Sequence, residues 1–120
     1  MIKFTKERVL LLYKLIVEAT GGTFGIWSEN LLESAIEAPY QTFDGEELFP
    51  TKIEKAARLG YGLISNHPFI DGNKRIGVYI MISFLEVNGI YWSRNWRYST
   101  KHSFRKYEIW GYFKIFKIKR

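Results

Sequence analysis

The most apolar stretch of the chain, residues 74–87, begins inside a block that reads His-Pro-Phe-Ile-Asp-Gly-Asn-Lys-Arg-Ile-Gly over residues 67–77. Because the stretch carries no charge from Ile76 to Leu85, it predicts a helix that is apolar on nearly all sides. Such a helix belongs at the centre of a bundle, and Asn88-Gly89 is a favoured C-terminal stop. The chain is therefore expected to be all-α, with a polar loop held at the N-terminus of its central helix.

Each polar residue of this loop has a chemical use if the ligand is a phosphate ester. His67 can take a proton from a hydroxyl, since imidazole titrates near neutral pH. Asp71 offers a hard oxygen ligand of the kind that Mg²⁺ prefers. Gly72 lets a ligand approach the backbone closely. Asn73 is predicted to be the N-cap of a helix that begins at Lys74.

Positive charge gathers where this helix begins. The N–H groups of its first turn and the helix dipole form an anion site, to which Lys74 and Arg75 add two full charges. Cations at a helix N-terminus oppose the dipole, so their presence is explained when an anion binds there. In the competing interpretation, the two cations are a solvated first turn, His67 satisfies a local hydrogen bond and Asp71 only forms a turn. A joint metal site of His67 and Asp71 is excluded, because the nearby proline and glycine prevent the helix that would align them.

The remaining chain up to residue 90 supplies amphipathic helices that can pack around this one. They are predicted at residues 6–19, at residues 28–37 with Ser28 as N-cap, and up to residue 65 after a capping box at residues 51–54. Residues 40–50 are polar and rich in turn formers, which predicts an exposed loop or a short hairpin. Phe69 is interpreted as a core anchor that fixes the polar loop.

Residues 67–77 resemble the signature of the Fic/Doc (Fido) superfamily, whose loop runs His-x-Phe-x-Asp/Glu-Gly-Asn and then a basic pair. A lysine directly after the asparagine is similar to the death-on-curing (Doc) toxin branch. The resemblance covers roughly residues 5–90 and includes, in the expected order, segments at residues 21–26, 31–35, 41–51 and 84–90. Two positions depart from the family: Trp27-Ser28 stands where many Doc relatives have Arg-Asp, and Tyr13 stands where a histidine is frequent.

The resemblance implies a toxin of a toxin–antitoxin system that transfers the γ-phosphoryl group of ATP to a Ser/Thr hydroxyl. The implied protein substrate is a translation elongation factor of the Tu type, aligned by a flap at residues 41–49. His67 would be the catalytic base and Asp71 would hold Mg²⁺. The nucleotide would be bound by four consecutive residues, Gly72, Asn73, Lys74 and Arg75. The resemblance also implies a cognate antitoxin that binds a groove on the toxin.

Two other functions stay open at this point. AMP-transferring Fic enzymes usually have a second arginine three residues after the first, where this chain has Val78. They also commonly have glycine at the position of Lys74, so both positions favour phosphoryl transfer over AMP transfer. A catalytically inactive Fido scaffold is the alternative outside catalysis, because the C-terminal residues depart from the family.

A break in composition near Ile90 divides the chain into a Doc-like core, residues 1–90, and an atypical basic-aromatic tail, residues 91–120. The core carries nine Lys/Arg against eleven Asp/Glu, and the tail carries nine against one. The tail also holds ten of the 21 aromatic residues. We expect that the closing helix of the family is missing or replaced, as a shifted reading frame would cause, and that residues 95–120 are the most mobile part. The alternative is an arm that binds single-stranded nucleic acid.

Composition narrows the class of protein further. The chain has no cysteine, which excludes disulfides and thiolate metal sites. Its longest uncharged apolar run is about half of what a membrane span needs. No cleavage site follows the apolar residues near the N-terminus, so no membrane partner and a cytoplasmic location are expected.

Overall fold

The structure, a computed structural model, describes residues 1–92, 103–104 and 111. This part of the chain is predominantly helical, which confirms the predicted fold class. Its elements in chain order are α1 (Lys6–Thr20), α2 (Glu29–Glu37), a 3₁₀ turn (Ala38–Tyr40), β1 (Thr42–Phe43), β2 (Glu46–Glu47), α3 (Lys52–Ser65), α4 (Asn73–Val87), β3 (Tyr91–Trp92) and β4 (Ser103–Phe104).

Short-range side-chain bonds explain where the helices begin. The Ser28 hydroxyl accepts a hydrogen bond from the Leu31 N–H at 3.2 Å, as its predicted role at the start of α2 requires. The Thr51 hydroxyl accepts from the Glu54 N–H at 3.1 Å and donates to the Glu54 carboxylate at 2.8 Å. Both predicted N-caps are therefore confirmed, and α3 begins one residue after Thr51.

The core lies mainly between α3 and α4, with α1 packed against α4 and α2 against α3. Glycines bring α3 and α4 close together: a Cβ added at Gly77 would lie 2.8 Å from Ile64 Cγ1 and 3.3 Å from the Gly60 carbonyl oxygen. The prediction that α4 is enclosed on nearly all sides is too strong, because Tyr79 is 45% exposed and Val87 is 42% exposed. The largest buried side chains of the core include Phe4, Tyr13, Leu32, Leu59, Leu63, Phe69, Ile76, Ile80, Phe84 and Leu85.

The expected short hairpin is formed by β1 and β2, which pair antiparallel. Its two-residue turn has positive φ at both Asp44 and Gly45, as a type I′ turn requires. The base of the hairpin is tied to α3 by Lys55, whose side chain is 1% exposed. The Lys55 ammonium pairs with the Glu47 carboxylate at 3.0 Å and donates to the Phe49 carbonyl. Burial of this lysine was not predicted from the sequence.

The C-terminal end of α4 is closed by Asn88 and Gly89, as predicted. Gly89 has a φ of 84°, and the Asn88 amide exchanges hydrogen bonds with both backbone groups of Ile2 at 2.7 and 3.1 Å. β3 then pairs with β4 in parallel. Apart from these two strands and Gly111, the predictions for residues 91–120 lie outside the described residues. None of the described helices has both the length and the apolar character that crossing a membrane requires.

Candidate active site

The loop between α3 and α4 is held in place by backbone hydrogen bonds to a segment forty or more positions earlier. The Pro68 carbonyl accepts from the N–H groups of Trp27 and Ser28 at 2.7 and 3.2 Å. The Ile70 N–H donates to the Gly25 carbonyl at 3.0 Å. These backbone hydrogen bonds therefore fix one side of the loop without any contribution from side chains.

From the inner side, the loop is anchored by Phe69 and Tyr13. The buried Phe69 ring stacks on the Tyr13 ring with centroids 4.1 Å apart, which confirms the interpretation of Phe69 as a core anchor. The Tyr13 hydroxyl accepts from the Gly25 N–H at 2.9 Å and lies 3.0 Å from the Gly25 carbonyl and 3.2 Å from the Thr23 carbonyl. Tyr13 thus joins both sides of the site. This role of Tyr13 was not predicted, because the sequence shows only that Tyr13 departs from the family pattern and does not show what its side chain contacts.

Asn73 has a different role from the predicted one. α4 begins at Asn73, and its N-cap is Gly72, which has left-handed backbone angles and makes no side-chain cap bond. The buried Asn73 side chain faces back into the loop, where Oδ1 accepts from the Phe69 N–H and Nδ2 donates to the Phe69 carbonyl, both at 2.9 Å. The N-cap prediction is therefore wrong. The amide bonds to Phe69 instead, and only the backbone of Asn73 remains at the helix N-terminus.

His67 is exposed, and its backbone is in the left-handed region with φ at 50°. Such a conformation costs about 1–3 kcal/mol for a non-glycine residue and is found mainly at functional sites. The Asn73 Nδ2 lies 3.4 Å from the His67 Nδ1. Because the bonds to Phe69 fix the orientation of the amide, its N–H group faces Nδ1, which can only accept in this contact. A hydroxyl that donates to Nδ1 would displace this long contact and find a proton acceptor there.

Asp71 is exposed, and only one of its carboxylate oxygens has a donor within the described part of the chain. Oδ2 accepts from the Thr23 N–H at 3.3 Å, which leaves Oδ1 for a cation. Among the described residues, no three His, Asp or Glu side chains come together. Mg²⁺ is commonly held by one or two carboxylates together with substrate phosphates and water. The single carboxylate therefore fits a Mg²⁺ ion that arrives with a phosphate ligand.

The Arg75 guanidinium lies in a slot between two glycines. A Cβ added at either Gly22 or Gly72 would be only 2.8 Å from Nη2. Nη2 donates to the Gly21 carbonyl at 3.0 Å, while the buried Nε has no hydrogen-bond partner in the described region. Arg75 is therefore half-buried and folded back toward Gly21 and Gly72 at the start of α4.

An open pocket of about 540 Å³ adjoins this end of α4 and is lined by Gly72, Lys74, Arg75, Val78 and Tyr79. Its volume is within the range of small-molecule sites. Three of the four residues predicted to bind nucleotide line it, and Asn73 lies in the same helical turn. His67 and Asp71 do not line the pocket, but the loop that carries them leads directly into it.

Comparison with known proteins agrees with this arrangement. A sequence model of the Fic/DOC family matches residues 3–85, which include the loop and all but the last two residues of α4. Toxin Doc of Mycolicibacterium smegmatis is 36% identical over 72 residues, which are 60% of this chain and 55% of the toxin. The chain thus spans about half the length of this curated relative. No solved structure gives a significant match. Because the family model matches more than half of the chain, including the complete loop, the chain belongs to the Fic/DOC family.

Proposed function

We propose that the chain is a Doc-like toxin of a toxin–antitoxin system that transfers the γ-phosphoryl group of ATP to a Ser/Thr hydroxyl of a protein. Membership of the Fic/DOC family and the similarity to Toxin Doc support this proposal. The observation that carries it is the convergence at the start of α4. There, an exposed imidazole, a basic first turn and a carboxylate with one oxygen that has no donor among the described residues lie beside an open pocket.

In this reaction, His67 removes the proton from the attacking hydroxyl while the hydroxyl oxygen forms a bond to the γ-phosphorus. The bond between that phosphorus and the β–γ bridging oxygen breaks, and ADP leaves. The first turn of α4, with Lys74 and Arg75, stabilises the negative charge of the transferring group. A bound Mg²⁺ at Asp71 would neutralise part of the phosphate charge. A positioned base contributes about 10²–10⁴ in rate, and the remainder depends on positioning and electrostatics.

Phosphoryl transfer is favoured over AMP transfer by the wall of the pocket. Val78 lines it beside Lys74 and Arg75. The second arginine of AMP-transferring Fic enzymes would stand at this position, and an uncharged valine cannot hold a phosphate. The pocket therefore concentrates its positive charge at Lys74 and Arg75, where the γ-phosphate would be held.

The proposed substrate is a translation elongation factor of the Tu type, which would place the activity in the cytoplasm. The hairpin of β1 and β2 is the proposed flap. Its strands are two residues long and exposed, and the Phe43 side chain is 75% exposed. An extended segment of another protein can add to such an edge through backbone hydrogen bonds. The proposed binding partner is a cognate antitoxin.

Labelled ATP distinguishes this proposal from its alternatives. The chain is incubated with a bacterial lysate and Mg²⁺, once with γ-labelled ATP and once with α-labelled ATP, and His67→Ala is the control in both. Protein label from the γ position alone is the expected result. Label from the α position would identify an AMP transferase instead. Label from neither position would indicate an inactive scaffold.

A further inference from the structure

Two of the proposed ligand-binding side chains are held by a segment that lies far from them in sequence. The Gly21 carbonyl accepts from Arg75 Nη2 at 3.0 Å across 54 positions. The Thr23 N–H donates to Asp71 Oδ2 at 3.3 Å across 48 positions. Both contacts use backbone groups of the segment, so they restrict Asp71 and Arg75 without any side chain entering the site.

Gly22, between these two backbone contacts, is the point of closest approach. A Cβ at Gly22 would lie 2.8 Å from Arg75 Nη2 and 3.1 Å from Asp71 Oδ2. Both atoms belong to groups that the segment holds in place, so an added methyl group has to displace at least one of them. The φ of Gly22, 103°, also favours glycine, and the effect of that backbone strain has to be separated from the steric effect.

We propose that residues 21–23 are a positioning segment of the nucleotide site. This inference rests on the proposed function and adds to it: the segment orients the Arg75 guanidinium and the Asp71 carboxylate before the nucleotide binds. An arginine in solvent adopts many rotamers, whereas the Arg75 guanidinium lies close to both Gly22 and Gly72 and is bonded to the Gly21 carbonyl. Side chains that are oriented in advance bind a ligand more tightly, because less freedom is lost on binding.

The segment itself is held by Tyr13. The buried hydroxyl contacts the backbone of Thr23 and Gly25, and the Tyr13 ring stacks on Phe24 with centroids 4.6 Å apart. The same ring stacks on Phe69 of the loop. Tyr13 thereby fixes the distance between the positioning segment and the loop that carries Asp71.

The test compares Gly22→Ala with Gly89→Ala by calorimetric titration of Mg·ATP. Gly89 has a similar positive φ of 84°, and a Cβ there would meet nothing within 4 Å, so this variant controls for backbone strain. We expect Gly22→Ala to weaken Mg·ATP binding by about tenfold or more, as the loss of a charge-assisted contact does, and Gly89→Ala by less than about twofold. Equal affinities of the two variants would overturn the inference.

A double variant separates positioning from general structural damage. In an Arg75→Ala background, Gly22→Ala is expected to weaken Mg·ATP binding by clearly less than the tenfold loss expected in the wild-type chain, because the closer of the two groups that it displaces is gone. A further tenfold loss in that background would contradict the proposed route through Arg75. If Gly22→Ala does not fold, as circular dichroism would reveal, Tyr13→Phe releases the segment without adding bulk. Unchanged Mg·ATP affinity in Tyr13→Phe would also count against the inference.

The wild-type titration distinguishes failure of this inference from failure of the proposed function. A wild-type chain that does not bind Mg·ATP overturns the proposed function, and the inference with it. A wild-type chain that binds Mg·ATP, with Gly22→Ala no weaker than Gly89→Ala, overturns the positioning segment alone.

Discussion

At the scale of single residues, His67 is the side chain whose removal separates chemistry from stability. Because it is exposed, His67→Ala is expected to change the free energy of unfolding by less than about 0.5 kcal/mol. Phosphoryl transfer should fall by about 10²–10⁴, the contribution of a positioned base. Initial rates with γ-labelled ATP, together with urea denaturation, measure both quantities. The chain has two histidines, so His102→Ala is the control. Near-full activity of His67→Ala would remove the imidazole from the mechanism.

Asn73 should behave in the opposite way, because its buried amide bonds both backbone groups of Phe69. Replacing it with alanine leaves a buried N–H and a buried carbonyl without partners, which costs about 1–3 kcal/mol. We expect Asn73→Ala to lower both the free energy of unfolding and the transfer rate. Asn66→Ala is the matched control, since Asn66 also donates to a backbone carbonyl, that of Leu31, but at an exposed position. An equal loss of stability in the two variants would refute this account of Asn73.

Residue types in the site could be predicted from the sequence, but their geometry could not. The imidazole, the carboxylate and the basic pair could be identified from the sequence, because few structural roles other than ligand binding or catalysis explain each of them in so short a segment. Whether Asn73 caps the helix or bonds to Phe69 depends on two competing hydrogen bonds of similar strength, and local sequence does not decide between them. The slot around Arg75 is formed in part by Gly22, which is so distant in sequence that no short-range pattern predicts the contact.

At the scale of elements, the hairpin depends on the ion pair between the buried Lys55 ammonium and the exposed Glu47 carboxylate. Among the described residues, Glu47→Ala leaves the buried Lys55 ammonium with the Phe49 carbonyl as its remaining partner, which we expect to cost about 1–3 kcal/mol. Lys55→Met is expected to cost less, because Glu47 is 54% exposed and can remain hydrated. Chemical denaturation gives the free energies, and hydrogen exchange across residues 42–47 monitors the hairpin. Glu46→Ala, in the same exposed strand, controls for strand propensity. If Lys55→Met proved the more damaging variant, the ion pair would not be the anchor.

The contact between α3 and α4 makes a second prediction at this scale. Alanine normally stabilises a helix by about 1 kcal/mol relative to glycine. At Gly77, however, the new Cβ would lie 2.8 Å from Ile64 Cγ1, and overpacking of this kind costs about 1–3 kcal/mol. We expect Gly77→Ala to destabilise the fold and to displace the loop between the two helices. Adding Ile64→Ala removes the clash, so the double variant should lose less than the sum of the single losses in denaturation experiments. Strict additivity would contradict the steric explanation.

Elements with local signals were predicted well. Ser28 and Thr51 start helices through bonds within three positions, and the backbone N–H groups of Asn88 and Gly89 end α4 through bonds to residues 84–86. In these cases the local sequence shows both partners. The hydrophobic pattern of α4 gave its helical state and its end, but not its exposed Tyr79 face. Which face is exposed depends on the elements that pack against the helix, and the hydrophobic periodicity of a single segment carries no information about them.

At the scale of the whole molecule, the charge is divided between two parts of the chain. The balance is −2 over residues 1–90 and +8 over residues 91–120, and the family match ends at residue 85. A shifted reading frame would explain why composition and family resemblance both change within a few positions of each other. We predict that sequencing the gene across codon 90 will reveal a one-base insertion or deletion whose correction opens a frame rich in Glu, Leu and Ala. Absence of such a frame would favour a functional arm, which single-stranded RNA binding by the full chain and by a chain ending at Ile90 would then test.

The long sequence separation between the two sides of the site determines when activity can arise. The Gly21 carbonyl meets Arg75 across 54 positions, and the Thr23 N–H meets Asp71 across 48. Contacts between such distant positions form late in folding, because a long loop has to close first. A chain that is still being synthesised therefore has no assembled site until α4 has left the ribosome. Under the proposed function, a nascent chain that still lacks α4 has no transferase activity.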